Sequence, residues 1–404
     1  MPEVIRTYRY RAYPNAEQRD NLARTFGCAR WVYNWGLERR TNAYHGEGKS
    51  LTYNSLAVEL TQIKKREETR WLGEVSSVVL QQSLRNLERA FTNFFEGRSG
   101  YPSFKRKRGT QSATYASSAF RFDPEAMTLT LAKQKTPLKI RWSRKPEGEV
   151  VKVTVTLDPS GRYHVCLHCR CKVEPLPPAD PGGKTGKSVG VDLGLNDVVV
   201  TSDGFRSGNK GRVTRPKHLR RAYRRLRRAQ KALSRKQKGS NNWEKQRRKV
   251  AKLHTRIADR RSDFIHKLTT DLVKNHDVIA VESLAVKNML KNRTLARSIS
   301  GASWGEIVRQ LEYKCAWYGR TLIKVDRWFP SSKRCSACGH LRAEMPLAVR
   351  RWTCEECSTE HDRDKGRVTR PNAAKNILAV GATVAACGDL SKTSAAIQLH
   401  GIGR

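Results

Sequence analysis

Alternation of apolar and polar positions over residues 7–12 (Thr7, Tyr8, Arg9, Tyr10, Arg11, Ala12) predicts a strand, closed by Pro14 and Asn15. The period then changes. Asn15 and Gln18 form a capping-box pattern, and Leu22, Phe26, Ala29, Val32 and Tyr33 follow at helical spacing. Helical segments continue to about residue 96, interrupted at Gly46, Gly48 and Gly73, and end on the stripe Leu80, Leu84, Leu87, Phe91 and Phe94. Trp31, Tyr33 and Trp35 read as core aromatics. From 112 to about 173, short alternating runs at 127–131, 138–142, 150–157 and 163–171 predict a β-rich module, read as a small barrel. In the last run His164, Cys166 and His168 fall on one face and Cys169 and Cys171 on the other, so period two divides what looks like a ligand cluster and leaves a plain strand. The Pro- and Gly-rich stretch 175–187 predicts a linker.

The second half alternates strands with helices. Residues 188–203 read as a hairpin whose first strand ends at Asp192 and whose second begins at Val198. Leu219, Tyr223, Leu226 and Leu233 form a helical stripe, which 239–242 break and Val250, Leu253 and Ile257 resume. After a helix ending near Asn275, a buried strand over 276–284 carries Glu282 at its end. A helix over 304–318, a strand over 322–325 and a helix opening at Asn372 complete the pattern, while small and polar residues past about Val380 predict a weakly ordered tail. The fold class is multidomain α+β.

Composition changes the picture through charge. A chain of 404 residues predicts two to four compact units, and its formal net charge of +42 calls for a polyanion. Nucleic acid is the expected partner. A run of about 18 apolar residues, as a membrane span needs, is missing, as is an apolar leader, so the expectation is a bacterial or archaeal cytoplasmic, nucleoid-associated protein with no membrane partner. Two basic stretches are candidate phosphate contacts: the loop 97–111 with Lys105, Arg106, Lys107 and Arg108, and the helical hairpin with Arg220, Arg221, Arg224, Arg225, Arg227 and Arg228.

Two constellations carry chemistry. Asp192 and Glu282 each end an apolar strand, and helix-linked strands of this kind join one α/β sheet, where terminal acids converge on a divalent cation. Cys335 and Cys338, then Cys354 and Cys357, are paired knuckles with fifteen residues between the pairs, the spacing of a closed tetrahedral Zn²⁺ site that staples a ribbon. The run His361-Asp362-Arg363-Asp364 follows, and a third acid near a helix start would complete a trio. Three carboxylates suit two-metal phosphodiester hydrolysis with Mg²⁺ or Mn²⁺.

With these motifs in this order, the chain resembles the TnpB family, nucleases encoded by small bacterial and archaeal transposons and distantly similar to type V CRISPR effectors. The matching residues are Tyr13-Pro14-Asn15, Gln18, the run 27–34 (Gly-Cys-Ala-Arg-Trp-Val-Tyr-Asn), Gly190-Val-Asp-Leu-Gly194, Val281-Glu-Ser-Leu284, the four cysteines and His361-Asp-Arg-Asp364. The resemblance implies a β-barrel wedge domain (1–14 and 112–174) holding a helical recognition domain (15–111). Beyond the linker it implies an RNase H-like RuvC domain (188–328 and 362–384) interrupted by a zinc ribbon (329–361), then a tail (385–404). It implies RNA-guided cleavage of double-stranded DNA beside a short transposon-associated motif, with a guide RNA from the transposon end and a transposase of the same element as a further partner. Carried over by position, the catalytic acids are Asp192, Glu282 and Asp364.

One feature departs from the family pattern. Lys-Gly-Arg-Val-Thr-Arg-Pro occurs at 210–216 and again at 365–371, and the second copy adds about six residues between the last acid and Asn372-Ala-Ala. Two rival expectations follow: a guided DNA binder whose cleavage the insertion impairs, and a zinc-ribbon RNA-binding protein with no nuclease role.

Overall fold

The computed structural model describes residues 3–172, 174–179, 187–195, 197–207, 217–346, 349, 351–362 and 371–386. The chain divides into two compact units, 1–172 with 229–252, and 173–228 with 253–404.

In the first unit, β1 (Glu3–Ala12) leads into the long helix α1 (Ala16–Glu47). The turn is fixed by the predicted capping box: Asn15 Oδ1 accepts from Gln18 N at 2.8 Å, and Gln18 Oε1 accepts from Asn15 N at 3.1 Å. Gly48, at φ 62°, closes the helix in the left-handed region. Helices α2 (Tyr53–Ile63) and α3 (Ser77–Phe95) pack on α1 around Val32, Leu37, Leu56, Leu80, Leu84 and Leu87. The strands β2 (Gln111–Ala116), β3 (Phe120–Asp123), β4 (Thr128–Leu131), β5 (Ile140–Arg141), β6 (Glu149–Leu157) and β7 (Tyr163–Lys172) follow.

Five of these strands form one antiparallel sheet in the order β2-β6-β7-β1-β5, and β3 and β4 form a separate hairpin. The first strand of the chain therefore lies beside the seventh, with Glu3 opposite Lys172 and Ala12 opposite Tyr163. The end strands β2 and β5 are not paired with each other among the described residues. On β7, Val165, Leu167, Cys169 and Cys171 enter the core, whereas His168 on the other face is held by the hydroxyls of Thr7 and Thr154, each at 3.1 Å. The histidines and cysteines of β7 are thus divided between the two faces of one strand, as period two predicts.

The second unit is built on β8 (Ser188–Asp192), β9 (Val200–Thr201), β10 (Val278–Glu282) and β11 (Thr321–Val325), in the order β11-β10-β8-β9. Helices α4 (Lys217–Ser234) and α5 (Asn241–Asn275) precede β10; α6 (Val286–Met289), α7 (Ala296–Ala302) and α8 (Trp304–Tyr318) lie between β10 and β11. The hairpin of β12 (Arg351–Thr353) and β13 (Glu360–Asp362) then precedes α9 (Asn372–Ala386). The first three strands of the sheet order run parallel and β9 runs antiparallel to β8.

Val189, Val191, Ile279 and Val281 face a core with Leu268, Leu272, Ile307 and Leu311. The opposite face, with Ala280, Ile323 and Val325, is covered by Ile377 of α9. That helix lies directly on the strand backbone: a Cβ at Gly190 would stand 2.0 Å from Ala374 O and 2.7 Å from Leu378 N, and one at Gly381 would stand 2.5 Å from the Ala280 Cβ. The helix continues to Ala386, so the packed structure extends past Val380, where the sequence pattern predicts a tail; residues 387–404 lie outside the described residues.

The described part of the predicted linker is docked. Leu176 N donates to Tyr318 O at 3.1 Å and Ala179 N donates to the Asp277 carboxylate at 2.9 Å. Among the described residues no helix is long and apolar enough to cross a membrane.

Because a methyl at position 190 would overlap helix backbone, Gly190→Ala is expected to destabilise the protein by ~3 kcal/mol. Gly27→Ala, at a helical position with nothing within 4 Å of the added carbon, is expected to be neutral or slightly stabilising. Denaturant midpoints of the two variants check this; equal midpoints would contradict the close packing.

Candidate metal centre

Parallel pairing of β8 with β10 brings the two strand-end acids together. Ser188 lies opposite Val278 and Val191 opposite Val281, which sets Asp192 beside Glu282. Alternation puts both acids on the same sheet face as Gly190 and Ala280. The two carboxyl groups are hydrogen-bonded to each other, and the Leu193 N–H donates to Glu282 Oε1 at 3.0 Å. The next peptide is fixed too: the Trp304 indole donates to Gly194 O at 3.2 Å. Burial, and after it the charge of Asp192, push the Glu282 carboxyl well above the ordinary carboxylate range, more than the Leu193 N–H lowers it. Two such groups either share a proton or hold a cation. Asp364 lies outside the described residues, as do Lys365 to Arg370 of the second heptapeptide copy and the whole first copy.

The four cysteines converge as expected from their spacing. Their sulfurs all lie within 4.8 Å of one another, with Cys335 and Cys357 at 3.6 Å and Cys338 and Cys354 at 3.5 Å. A tetrahedral ZnS₄ site with bonds of about 2.3 Å needs sulfurs about 3.8 Å apart, so the cluster fits zinc. The surroundings suit thiolates: Ala337 N donates to Cys335 Sγ at 3.4 Å, and His361 Nε2 lies 3.1 Å from the same sulfur. Thr359 Oγ1 stands 3.1 Å from Cys357 Sγ.

The basic candidates divide. Lys105 is turned inward: its amine stands 3.9 Å from the centre of the Tyr33 ring, and burial lowers it to about 8. Its backbone is clamped by Asn34, which accepts from Lys105 N at 2.8 Å and donates to Lys105 O at 3.0 Å. Arg108 covers the Trp243 ring at 4.9 Å and pairs with Glu244 at 3.2 Å. Arg106, Lys107 and Arg108 are exposed, as are Arg221, Arg224, Arg225, Arg227 and Arg228 on α4, whose buried side is Ala222 and Leu226. For Arg220 only its place on α4 is described. Arg224 and Arg227 line a cavity of about 1370 Å³ with Arg260, Arg261 and Arg297; neither Asp192 nor Glu282 lines it.

Sequence reasoning missed Trp304 and the Asn34 clamp. Trp304 opens an amphipathic helix and gives no separate signal, and Asn34 acts through a loop 71 positions away.

Three family profiles match the chain: one described as "Probable transposase" over 168–293, a "Cas12f1-like, TNB domain" over 304–377, and a "Helix-turn-helix domain" over 1–49. Within the last, the described residues form one strand and one unbroken helix. The chain is 50% identical to a Streptomyces pristinaespiralis protein named "Putative RNA-guided DNA endonuclease", over 96% of this chain and 92% of the relative. It is 33% identical to an Escherichia coli protein of the same printed description, InsQ, over 96% and 94%. Among solved structures it is similar to Cas12f1 in a complex with sgRNA and target DNA, at a TM-score of 0.53 and 16% identity over 90% of this chain and 83% of that one, a likeness of fold.

The raised Glu282 carboxyl fixes a pH dependence. The folded protein keeps this proton after the unfolded chain has lost it, so the stability it contributes is present below the ordinary carboxylate pKa and is lost as pH rises through the folded value. In magnesium-free buffer, Glu282→Gln is expected to stabilise the protein by on the order of 2 kcal/mol at about pH 9 and to have little effect at about pH 4. Denaturant melts at the two pH values check this, and added Mg²⁺ should shrink the difference.

Proposed function

The chain belongs to the TnpB family of transposon-encoded proteins, and from that premise we propose that it is an RNA-guided endonuclease that cuts double-stranded DNA by metal-dependent hydrolysis at Asp192, Glu282 and Asp364. The observation that carries the reading is the pair of hydrogen-bonded carboxyl groups at the ends of adjacent parallel strands, in a chain of net charge +42. Like charges held so close are an unfavourable arrangement that a divalent cation relieves.

Oxygen donors on rigid strand ends suit Mg²⁺ or Mn²⁺. Two bound ions would supply an activated water and stabilise the leaving 3′ oxygen. Asp192 and Glu282 would hold one side of such a site, Leu193 N–H and Trp304 keep the loop beyond Asp192 from drifting, and Asp364, assigned by its position in the sequence, would be the third ligand. One zinc in the four-cysteine ribbon has a structural role, since sulfur fills all four positions. The guide RNA and target DNA meet the protein through phosphate contacts from Arg106, Lys107, Arg108 and the α4 arginines, while Lys105, half-buried against Tyr33, supports the loop. The domain reading follows the family: a wedge and a helical recognition domain in the first unit, a RuvC nuclease with its ribbon in the second. A transposase of the same element is the further partner.

A second reading rests on the repeated Lys-Gly-Arg-Val-Thr-Arg-Pro. Its copy after Asp364 lengthens the approach to α9, and a displacement of about 1 Å in a catalytic group can cost on the order of 100-fold in rate. On this reading the protein binds its guided target and cuts it poorly.

Asp192→Ala is expected to lower the cleavage rate of the purified guide complex by on the order of 1000-fold while target binding is kept; cleavage that survives the change would remove the assignment. Deleting residues 365–370 is expected to raise the cleavage rate if the insertion impairs the site. Equal rates before and after deletion would leave the first reading alone.

A further inference from the structure

Two buried asparagines one turn apart on α9, Asn372 and Asn376, grip the loop that carries the first cysteine knuckle. Asn372 Oδ1 accepts from Ser336 N at 2.8 Å, and its Nδ2 donates to Arg334 O at 2.7 Å. Asn376 Nδ2 donates to Ser331 O at 2.9 Å and to Arg334 O at 2.7 Å. Both side chains are nearly excluded from water, at 7% and 5% exposure. The peptides they hold flank Cys335. On its other side the same stretch of helix presses Ala374 and Leu378 against Gly190, two residues before Asp192.

We propose that Asn372 and Asn376 are positioning residues that make the geometry of the acid pair depend on the filled cysteine cluster. The coupling is a chain of contacts: sulfur ligand, knuckle peptide, asparagine amide, helix, glycine backbone, carboxylate. Asn372 uses both its donor and its acceptor and Asn376 its donor, in a buried site that leaves no water to replace them, so the helix and the knuckle hold their places together. Metal bound by the cysteines then stiffens the seat of α9, and loss of metal frees the helix to shift on Gly190. The proposal rests on the reading of Asp192 and Glu282 as the ligands of the catalytic ions.

The test uses the full chain with its guide RNA and has two arms. In the first, zinc release to a chromogenic chelator and amide hydrogen exchange are followed in wild type, Asn372→Ala and Asn376→Ala. Zinc release is expected to quicken by about 10-fold in the variants, the lower end of the usual effect of residues supporting a metal ligand. Stripping zinc from the wild type should raise exchange across 188–192 as well as 331–336. In the second arm, the Mg²⁺ concentration for half-maximal cleavage is expected to rise severalfold in the variants and in zinc-stripped wild type, with guide and target binding unchanged. Unaltered zinc release in both variants overturns the clamp. Faster zinc release with unaltered exchange at 188–192 overturns the coupling. If wild type fails to cut, the reading of the acids is in question, and the first arm still decides the proposal. A variant that fails to fold is replaced by the Asn→Ser change at the same position, which must show the same shift in zinc release for the proposal to stand.

Discussion

The parallel pairing of β8 with β10 is the constraint on which the second unit depends. It joins segments far apart in the chain, and its register leaves no freedom in where Asp192 and Glu282 stand. Strand ends are stiff, so the two carboxyl groups cannot relax apart as surface acids do. Much of the surrounding structure tightens this arrangement. Leu193 donates into it, Trp304 fixes the peptide beyond, and the bare backbone at Gly190 lets a helix lie close beneath. The cost is electrostatic and local, and it appears as the raised Glu282 carboxyl.

Charge elsewhere in the chain is not one undifferentiated surplus. Two cations of the basic loop have partners within the protein: Lys105 half-buried against Tyr33, and Arg108 at the surface against Trp243 and Glu244. Both are half of a packing arrangement in which the aliphatic stem and the ring face count as much as the charge. Arg106 and Lys107 lie outward between them, so the contacts at the two ends of the run hold the middle pair exposed. On α4 a comparable division follows helical period, with Ala222 and Leu226 inward and arginines outward.

How much of this was legible in the sequence depends on whether an element announces itself locally. The capping box at Asn15 and Gln18, the acids ending β8 and β10, and the cysteine spacing are local signals, and the structure has each where the pattern predicts it. β2 is different. Its sequence, Gln-Ser-Ala-Thr-Tyr-Ala, has little apolar content, and it is a strand because Ala113 and Tyr115 pack inward while the backbone pairs with β6. The end of α9 departs from the sequence pattern for a related reason. Small residues such as Gly381 suggest disorder when counted as composition, yet at this position smallness is what contact with Ala280 requires. Lys105 and Asn34 could not be matched at all, because no periodicity links a helix to a distant loop.

The placement of the ribbon between β11 and α9 has a physical reason in the same terms. A helix that must lie on bare strand backbone gains little from side-chain interdigitation at Gly190, so its axial position is weakly set by that contact alone. Hydrogen bonds with fixed length set it better. Asn372 and Asn376 provide these, and their acceptors belong to a loop that metal ligation would hold rigid. The cysteine loop, whose own apolar cluster is small, gains a partner, and the helix gains an axial stop. Each element supplies a constraint to the other.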